Sequence, residues 1–300
     1  MSLCQEMDEI TIPTGSQVYS ACGPFFQILK TVLMQLELFN RENREAHIDL
    51  EGLIEAYYSC RKNKRNTVNA LAFEVDSESK LYDLWRQINN GSYQPGRSVA
   101  FVIHTTVARE VFAADFRDRV VHHLIINKLN PIFEKQFIYD SYACRKGKGT
   151  HFGIQRLSRF IRSCSHNYSR DCYILKLDIE GFFMHIDREI LFRRLRAFIE
   201  EKYQEQHKAI IIELCKKVVF NDCATNCIIK GRKSDWDDLP SSKSLFHSPP
   251  GCGLPIGNLT SQIFANFYMD AFDHFVKHDL SIRYYGRYVD DWVIVHPDKV

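Results

Sequence analysis

The sequence predicts an α+β protein in which layers of helices alternate with a few strands that pair antiparallel. Apolar residues recur at three- and four-residue spacing over several stretches, which is the period of an amphipathic helix. Between these stretches lie short runs of β-branched and aromatic residues, such as YILKL and WVIVH. The chain has 300 residues and 45% hydrophobic content, which suits one large domain or two modest ones.

Composition argues against secreted, membrane and disulfide-rich classes. No apolar run approaches the ~20 residues that span a bilayer, and the first residues, MSLCQEMDEI, are acidic where a signal peptide is basic and then apolar. We therefore expect a cytoplasmic protein. The ten cysteines are scattered without CxxC pairs, as is typical of reduced thiols. Cys223 and Cys227 lack a second pair at ligand spacing, so they are weak evidence for zinc.

The first half of the chain is predicted to be mostly helical. Predicted helices cover residues 25–39, 50–60, 77–90 (closed by Gly91), 115–129 and 151–161, with an extended segment at 98–106. Asp115 is the expected N-cap of its helix, which we expect to stop before Pro131.

The second half is predicted to alternate strands and helices. The segment 172–183, CYILKLDIEGFF, predicts a short strand that ends in the carboxylate of Asp178 and turns at Gly181. Further helices are predicted at 188–201, at 207–220 and from GLPIGNLTSQ (253–262) to about residue 278, with an irregular connection at 221–250.

Two adjacent carboxylates, Asp290 and Asp291, interrupt the strand-forming run RYVDDWVIVH. Neighbouring residues of a strand point to opposite faces, so this pair in mid-strand would bury at least one charge. A hairpin avoids that cost, and we predict strands at 282–288 and 292–296 around a Val-Asp-Asp tip. The alternative is an ordinary solvated turn.

If the strand before Asp178 lies beside this hairpin, three carboxylates come together. Mg²⁺ is typically held by one or two carboxylates plus substrate phosphates, and two ions ~3.5–4 Å apart can stabilise both oxygens of a phosphoryl transfer. Asp178 would bridge the ions, with Asp290 as its main partner. The alternative for Asp178 is a strand-end residue that caps a turn.

The blocks LDIEGFF, GLPIGNLTSQIFANFYMD and YVDD resemble, in this order, motifs A, B and C of the palm of reverse transcriptases. Residues 108–134 resemble the fingers of prokaryotic reverse transcriptases, and YACRKGKGTHFGI continues them in the manner of group II intron enzymes. The resemblance implies a right-hand polymerase with an antiparallel palm sheet packed on helices. It divides the chain into an N-terminal helical extension (1–48), fingers (49–170) and an interleaved palm (171–300), with motifs A, B and C at 172–183, 253–270 and 287–292.

The resemblance implies an RNA-directed DNA polymerase that adds deoxynucleotides to a primer by two-metal phosphoryl transfer. The expected cofactor is Mg²⁺, two ions, with Mn²⁺ as a possible substitute, and the expected partners are RNA template, primer and deoxynucleoside triphosphates, without a membrane. Asp178, Asp290 and Asp291 become the catalytic metal ligands, with the backbone carbonyl of Ile179 as a further ligand oxygen.

Nucleotide-binding roles follow from the same resemblance. Arg109 lines up with the fingers residue that holds the triphosphate, although it could be an exposed loop arginine. Phe183 lies where an aromatic ring under the sugar excludes a 2′-hydroxyl, although it could simply pack. Ile256, Gly257 and Gln262 line the nucleotide site, unless Ile256 packs under the sheet.

Residues 141–170 contain seven Lys or Arg and no Asp or Glu, a pattern that suits a phosphate backbone but is also common on solvated faces. The residues expected to bind nucleic acid are Arg119, Arg145, Lys146, Lys148 and Arg156. Arg119 contacts the template backbone or pairs with Asp115.

The stretch IGNLTSQ resembles the reverse transcriptases of diversity-generating retroelements, whereas most of the family carries Gln before the Gly and a Ser-Pro further on. That subtype implies error-rich copying of a template repeat RNA, with adenines mutated, and a small basic accessory protein. The alternatives are a group II intron or retron-type enzyme, and an inactive palm that only binds RNA. Three mutually repelling carboxylates argue against the inactive palm.

The chain ends nine residues after Asp291, whereas the resemblance implies further palm strands, a primer grip and a helical thumb. We therefore expect the thumb to be absent from this chain, as in a fragment or a truncated gene product.

Overall fold

The computed structural model describes residues 47–62, 66–104 and 107–299. The chain divides into two units, Met1–His47 and Ile48–Val300, and the helices and strands of the described residues all belong to the second unit. The helix predicted at 25–39 lies outside the described residues and stays a prediction.

Nine α-helices are found among the described residues, and most begin within one residue of the predicted positions. They are α1 (Leu50–Arg61), α2 (Val68–Glu74), α3 (Ser77–Asn89), α4 (Phe116–Gln136), α5 (Thr150–Cys164), α6 (Phe182–His185), α7 (Arg188–Lys202), α8 (Lys208–Val219) and α9 (Leu259–His274). A π-helical turn, Phe275–Asp279, continues α9. The short helices α2 and α6 were not predicted, because segments of seven and four residues are too short for a helical period to show.

Helix α4 is longer than predicted. The Asp115 side chain caps its start as expected, by accepting a hydrogen bond from the Arg117 amide at 3.0 Å. The helix then continues through Pro131, which lacks the N–H that an interior helical position normally donates. Phe133 is fully buried, and its ring stacks on Phe137 and Phe198 at 5.7 and 5.6 Å. This packing offsets the lost hydrogen bond, so the predicted end at residue 129 was wrong.

One sheet has three strands and is mixed rather than antiparallel. Strand β1 (Ser98–Ile103) pairs antiparallel with β2 (Arg109–Ala113) and parallel with β4 (Cys227–Ile229). Strand β2 was not predicted, and β4 lies inside the segment predicted as irregular. Strand β4 has only three residues, which is too short for an alternating pattern to show in the sequence. It forms because it pairs with β1, which is more than 120 residues away in the chain.

The other sheet is antiparallel, and its strands are β3 (Tyr173–Leu177), β5 (Tyr284–Tyr288) and β6 (Asp291–His296). Their order in the sheet is β3-β6-β5. Leu177 lies opposite Trp292, and Tyr288 lies opposite Asp291. The predicted hairpin is therefore present, with Val289 and Asp290 as its two loop residues and Asp291 as the first residue of β6.

Helices pack on both faces of this second sheet at β5 and β6, whereas β3 is largely exposed. Tyr285 and Trp292 pack on α9 together with Phe272 and Val276, whereas Val295 packs on Phe160 of α5. The largest apolar cluster lies among α1, α2, α3, α4, α7, α8 and α9. Burial of these helices positions α9, and α9 in turn supports the sheet that carries the paired carboxylates. Within the described ranges, no helix is long and apolar enough to cross a membrane.

Candidate active site

The ends of three strands bring the carboxylates predicted to bind metal close to one another. Asp178 directly follows Leu177 of β3, and Leu177 is paired with Trp292, the residue after Asp291. Burial raises the pKa of Asp290, and the negative charges of Asp178 and Asp291 raise it further. The charge of Arg109 acts in the opposite direction. Asp290 thus lies within electrostatic range of Asp178, Asp291 and Arg109.

The three carboxylates lie near one another, but they are not arranged at the spacing of metal ligands. Asp291 forms an ion pair with Lys176 of β3 at 3.1 Å, in which the Lys176 side chain is largely exposed and the Asp291 side chain is about half exposed. Across the part of the chain that the structure describes, no three His, Cys, Asp or Glu side chains stand at metal-binding spacing. The donors nevertheless fit a divalent cation, since hard carboxylate oxygens are the ligands of Mg²⁺ and a cation would relieve the repulsion on half-buried Asp290.

Strand β2 carries Arg109 and is hydrogen-bonded to the loop that precedes α9. Arg109 begins β2 and is exposed, so its guanidinium is accessible to a ligand. The Phe112 amide donates to the Ile256 carbonyl at 2.8 Å, and the Ala114 amide donates to Asn258 Oδ1 at 3.2 Å. Gly257 lies between these bonds with φ 117°, and a Cβ there would approach Val111 Cγ1 to 2.7 Å. Only glycine fits this close approach.

Phe183 and Ile179 lie in the turn and short helix after Asp178. Phe182 is the buried member of the Phe pair, whereas Phe183 is partly exposed and touches two apolar clusters. The Phe183 carbonyl accepts from the Leu254 amide at 2.8 Å, which ties this turn to the loop before α9. The Ile179 carbonyl accepts from the Phe182 amide at 3.3 Å, so this predicted ligand oxygen already has one partner.

Ile256 and Gln262 have partners within the protein. Ile256 packs against the cluster that contains Phe112 and Met184. Gln262 lies in the first turns of α9, and its Oε1 accepts from Cys144 Sγ at 3.1 Å. Both contacts are compatible with a purely structural role, which the sequence had left open for Ile256.

Arg145 and Arg119, both predicted to contact nucleic acid, have hydrogen-bond partners within the protein. Arg145 is buried, its guanidinium donates to the Ile138 and Ser141 carbonyls at 2.6 and 3.0 Å, and it pairs with Glu134. Arg119 donates to the Ala114 carbonyl at 2.8 Å, and burial lowers its pKa. Buried Arg145 is therefore held by its own chain, which argues against a phosphate contact, whereas Arg119 is only partly buried and its contact with nucleic acid stays a prediction.

The other three predicted basic residues differ in how accessible they are. Arg156 holds both oxygens of buried Asp140, at 2.7 and 3.0 Å, and is only partly exposed. Lys148 donates to the Tyr139 carbonyl, and burial lowers its pKa to about 8. Lys146 is exposed. The sequence pattern could not separate these cases, because their partners lie on other elements.

Two buried charges beside the site were not predicted from the motifs. Glu110, next to Arg109, accepts hydrogen bonds from Trp236, Ser244 and Leu245 of the long connection before α9. Arg287 of β5 is fully buried beneath the hairpin tip. The one sequence signal for each was a charged residue inside a strand-forming run.

Parts of this chain are similar to known proteins. Residues 106–300 match the family described as Reverse transcriptase (RNA-dependent DNA polymerase). Nuclear intron maturase 1, mitochondrial, of Arabidopsis thaliana is 30% identical over 87 residues, which make up 29% of this chain and 11% of that protein. Protein YkfC of Escherichia coli (strain K12) is 23% identical over 136 residues, 45% of this chain and 35% of that protein.

A solved structure of telomerase from Candida albicans, in complex with a TWJ fragment of telomeric RNA, is also similar. It gives a TM-score of 0.46 at 14% identity, over 69% of this chain and 39% of that one. The chain spans only 11% and 35% of the length of the two curated relatives.

Proposed function

Because the chain belongs to the reverse transcriptase (RNA-dependent DNA polymerase) family, we propose that it carries the catalytic centre of an enzyme that copies RNA into DNA. One observation carries this proposal: Asp178 follows the end of β3, which pairs with β6, and Asp290 and Asp291 lie in the hairpin tip where β6 begins. In this proposal, residues 49–170 form the fingers and 171–300 the palm.

Each residue then has a defined task. Asp178, Asp290 and Asp291 would hold Mg²⁺, with the Ile179 carbonyl as a further oxygen. Bound Mg²⁺ would stabilise charge on the attacking and leaving oxygens of the phosphoryl transfer. Arg109 would bind the triphosphate, since a guanidinium matches phosphate geometry. Partly exposed Phe183 would lie under the sugar and exclude a 2′-hydroxyl.

Primer extension by the full-length protein tests this function. The substrate is a DNA primer on an RNA template with Mg²⁺ and deoxynucleoside triphosphates, and Asp290→Asn should reduce extension to background. Asp298→Asn is the matched control. Asp298 is an exposed carboxylate just beyond the end of β6, the strand that Asp290 precedes. Wild-type protein that binds the hybrid but adds no nucleotide would favour the inactive RNA-binding alternative.

For the subtype, we propose error-prone cDNA synthesis from a template repeat RNA in a diversity-generating retroelement, with a small basic accessory protein as partner. Support comes from IGNLTSQ, where apolar Ile256 stands in place of the usual Gln. A lost hydrogen bond is worth about 0.5–1.5 kcal/mol net, or roughly a two- to twelvefold relaxation of discrimination. The match to an intron maturase supports the competing proposal of a group II intron type.

Misincorporation opposite template adenine distinguishes the two subtypes. Ile256→Gln, alone and with Gln262→Pro, should lower the error rate by roughly two- to twelvefold while activity is retained. Ile256→Val is the control, because it keeps an apolar surface against Phe112 and should leave the error rate unchanged. Equal error rates in all variants would contradict a fidelity role for this stretch and leave the error-prone subtype without its main support.

A further inference from the structure

Arg287 is the centre of a buried polar network directly beneath the hairpin tip. Its side chain is fully buried, and its Nε and Nη2 donate to the two carboxylate oxygens of Asp273 on α9 at 2.7 and 2.6 Å. The Tyr285 hydroxyl donates to the same carboxylate at 2.6 Å. Nη1 donates to Asn266 Oδ1 of α9 at 3.2 Å. The guanidinium is therefore held rigidly against α9.

The same guanidinium also reaches the tip of the hairpin. Nη1 donates to the Val289 carbonyl at 2.7 Å, and Val289 is the loop residue immediately before Asp290. Val289 has φ 57°, which is a left-handed conformation that is strained for a β-branched residue. Such a conformation persists only where surrounding contacts over-determine it, and the bond from Arg287 is one such contact.

We infer that Arg287 is a positioning residue that clamps Val289 in its strained conformation and thereby aims Asp290 and Asp291 into the active site. The inference rests on the proposed function, because it assigns the network to the carboxylates that the proposal places in catalysis. Its geometry explains why an arginine is needed. A planar fork can bind both oxygens of Asp273 and still direct a third donor at Val289, whereas the single ammonium of lysine cannot.

The alternative explanation is that the Arg287 network only stabilises the fold. A buried ion pair is weak evidence for stability, since replacement by apolar residues is often neutral. The bond to Val289 adds nothing to the pairing of β5 with β6, which is complete from Tyr284–Val295 to Tyr288–Asp291. It acts on the two-residue loop, and the loop is where the proposed metal ligand Asp290 lies.

The test compares Arg287→Lys with Arg61→Lys in the full-length protein. Arg61 also binds both oxygens of a carboxylate, with Nη2 to Glu74 Oε2 at 3.0 Å, but it joins α1 to α2 and does not contact the hairpin. Arg287→Lys should lower kcat for single-nucleotide addition about 10- to 100-fold, as expected for one lost charged hydrogen bond. It should also raise the Mg²⁺ concentration for half-maximal rate, and Arg61→Lys should change neither.

Hydrogen exchange of the hairpin tip supplies a readout that does not depend on activity. Amides of residues 289–291 should exchange faster in Arg287→Lys than in wild type, while β3 and α4 stay protected and Arg61→Lys exchanges as wild type. Val289→Gly in the Arg287→Lys background should recover kcat at least in part, because glycine adopts φ 57° without strain. If Arg287→Lys fails to fold, Tyr285→Phe loosens the same carboxylate more gently and should show intermediate effects.

The possible failures are distinguishable. An inactive wild type would overturn the proposed function, and exchange at the tip would still report whether the clamp exists. Unaltered tip exchange, or wild-type kcat and Mg²⁺ dependence in Arg287→Lys, would overturn the clamp. So would a loss of kcat that Val289→Gly does not improve and that is accompanied by a general loss of protection.

Discussion

Asp290 is partly buried and has two negatively charged neighbours, and this combination lowers the stability of the folded protein when Asp290 is ionised. Burial and the charges of Asp178 and Asp291 raise its pKa above the ordinary value of 3.8. An ionised Asp290 therefore destabilises the metal-free fold, since the folded state binds a proton more tightly than the unfolded state. Below pH 3.8 the carboxyl is protonated in both states and the cost vanishes.

We predict that Asp290→Asn is more stable than wild type in metal-free buffer at pH 7, although it is inactive. The gain should shrink as the pH falls through the raised pKa and should be absent below about pH 3.8. Urea unfolding at pH 7 and pH 3 in the presence of EDTA measures it, with Asp298→Asn as the control. A stability gain of equal size at both pH values would contradict the electrostatic origin.

At the scale of elements, His122 of α4 joins this helix to α9. His122 is buried, and its Nδ1 lies 2.7 Å from the Thr260 hydroxyl. Burial, together with the charges of His123 and Arg119, lowers the pKa of His122 to about 3. The imidazole therefore stays neutral in the folded protein across the range in which a free histidine gains a proton.

His122 should make the protein less stable as the pH falls from 6.5 towards 3, because only the unfolded state binds the proton in that interval. The expected loss between pH 7 and pH 4 is about 3 kcal/mol. His122→Gln should flatten this part of the pH profile of urea unfolding, whereas Thr260→Val, which removes the hydroxyl partner but keeps the histidine, should not. Parallel profiles for wild type and His122→Gln would sink the prediction.

At the scale of the whole molecule, the basic stretch 141–170 divides into two groups. Arg145 forms an ion pair with Glu134, and Arg156 forms one with Asp140. Lys146 and Arg159 are exposed to solvent. If the chain binds an RNA–DNA hybrid through phosphates, the exposed group supplies the contacts. Each contact releases counterions, so affinity should fall steeply with salt.

Lys146→Gln combined with Arg159→Gln should weaken hybrid binding and reduce the slope of log Kd against log salt by about 1 to 2. Arg196→Gln with Lys202→Gln is the control, since it removes two exposed charges from α7. Fluorescence anisotropy between low and physiological salt measures both. An unchanged slope would place the phosphate contacts elsewhere.

Local features of the chain were sufficient to predict most of the helices and the outline of the site. The helical periods of α1, α3, α7 and α8, the N-cap at Asp115 and the hairpin at Asp290 all depend on residues a few positions apart. Such interactions are written into short stretches of sequence. The order of the motif blocks likewise predicted the family to which residues 106–300 belong.

Features that depend on distant partners could not be read in this way. The parallel pairing of β4 with β1, the passage of α4 through Pro131 and the burial of Arg145 each depend on packing against other elements. Arg287 shows the reason most clearly, since its carboxylate partner is 14 residues away and Ser141, 3.5 Å from Nη2, is 146 residues away. A side chain's charge is visible in the sequence, but whether it meets water, a phosphate or a buried carboxylate depends on which elements fold against it.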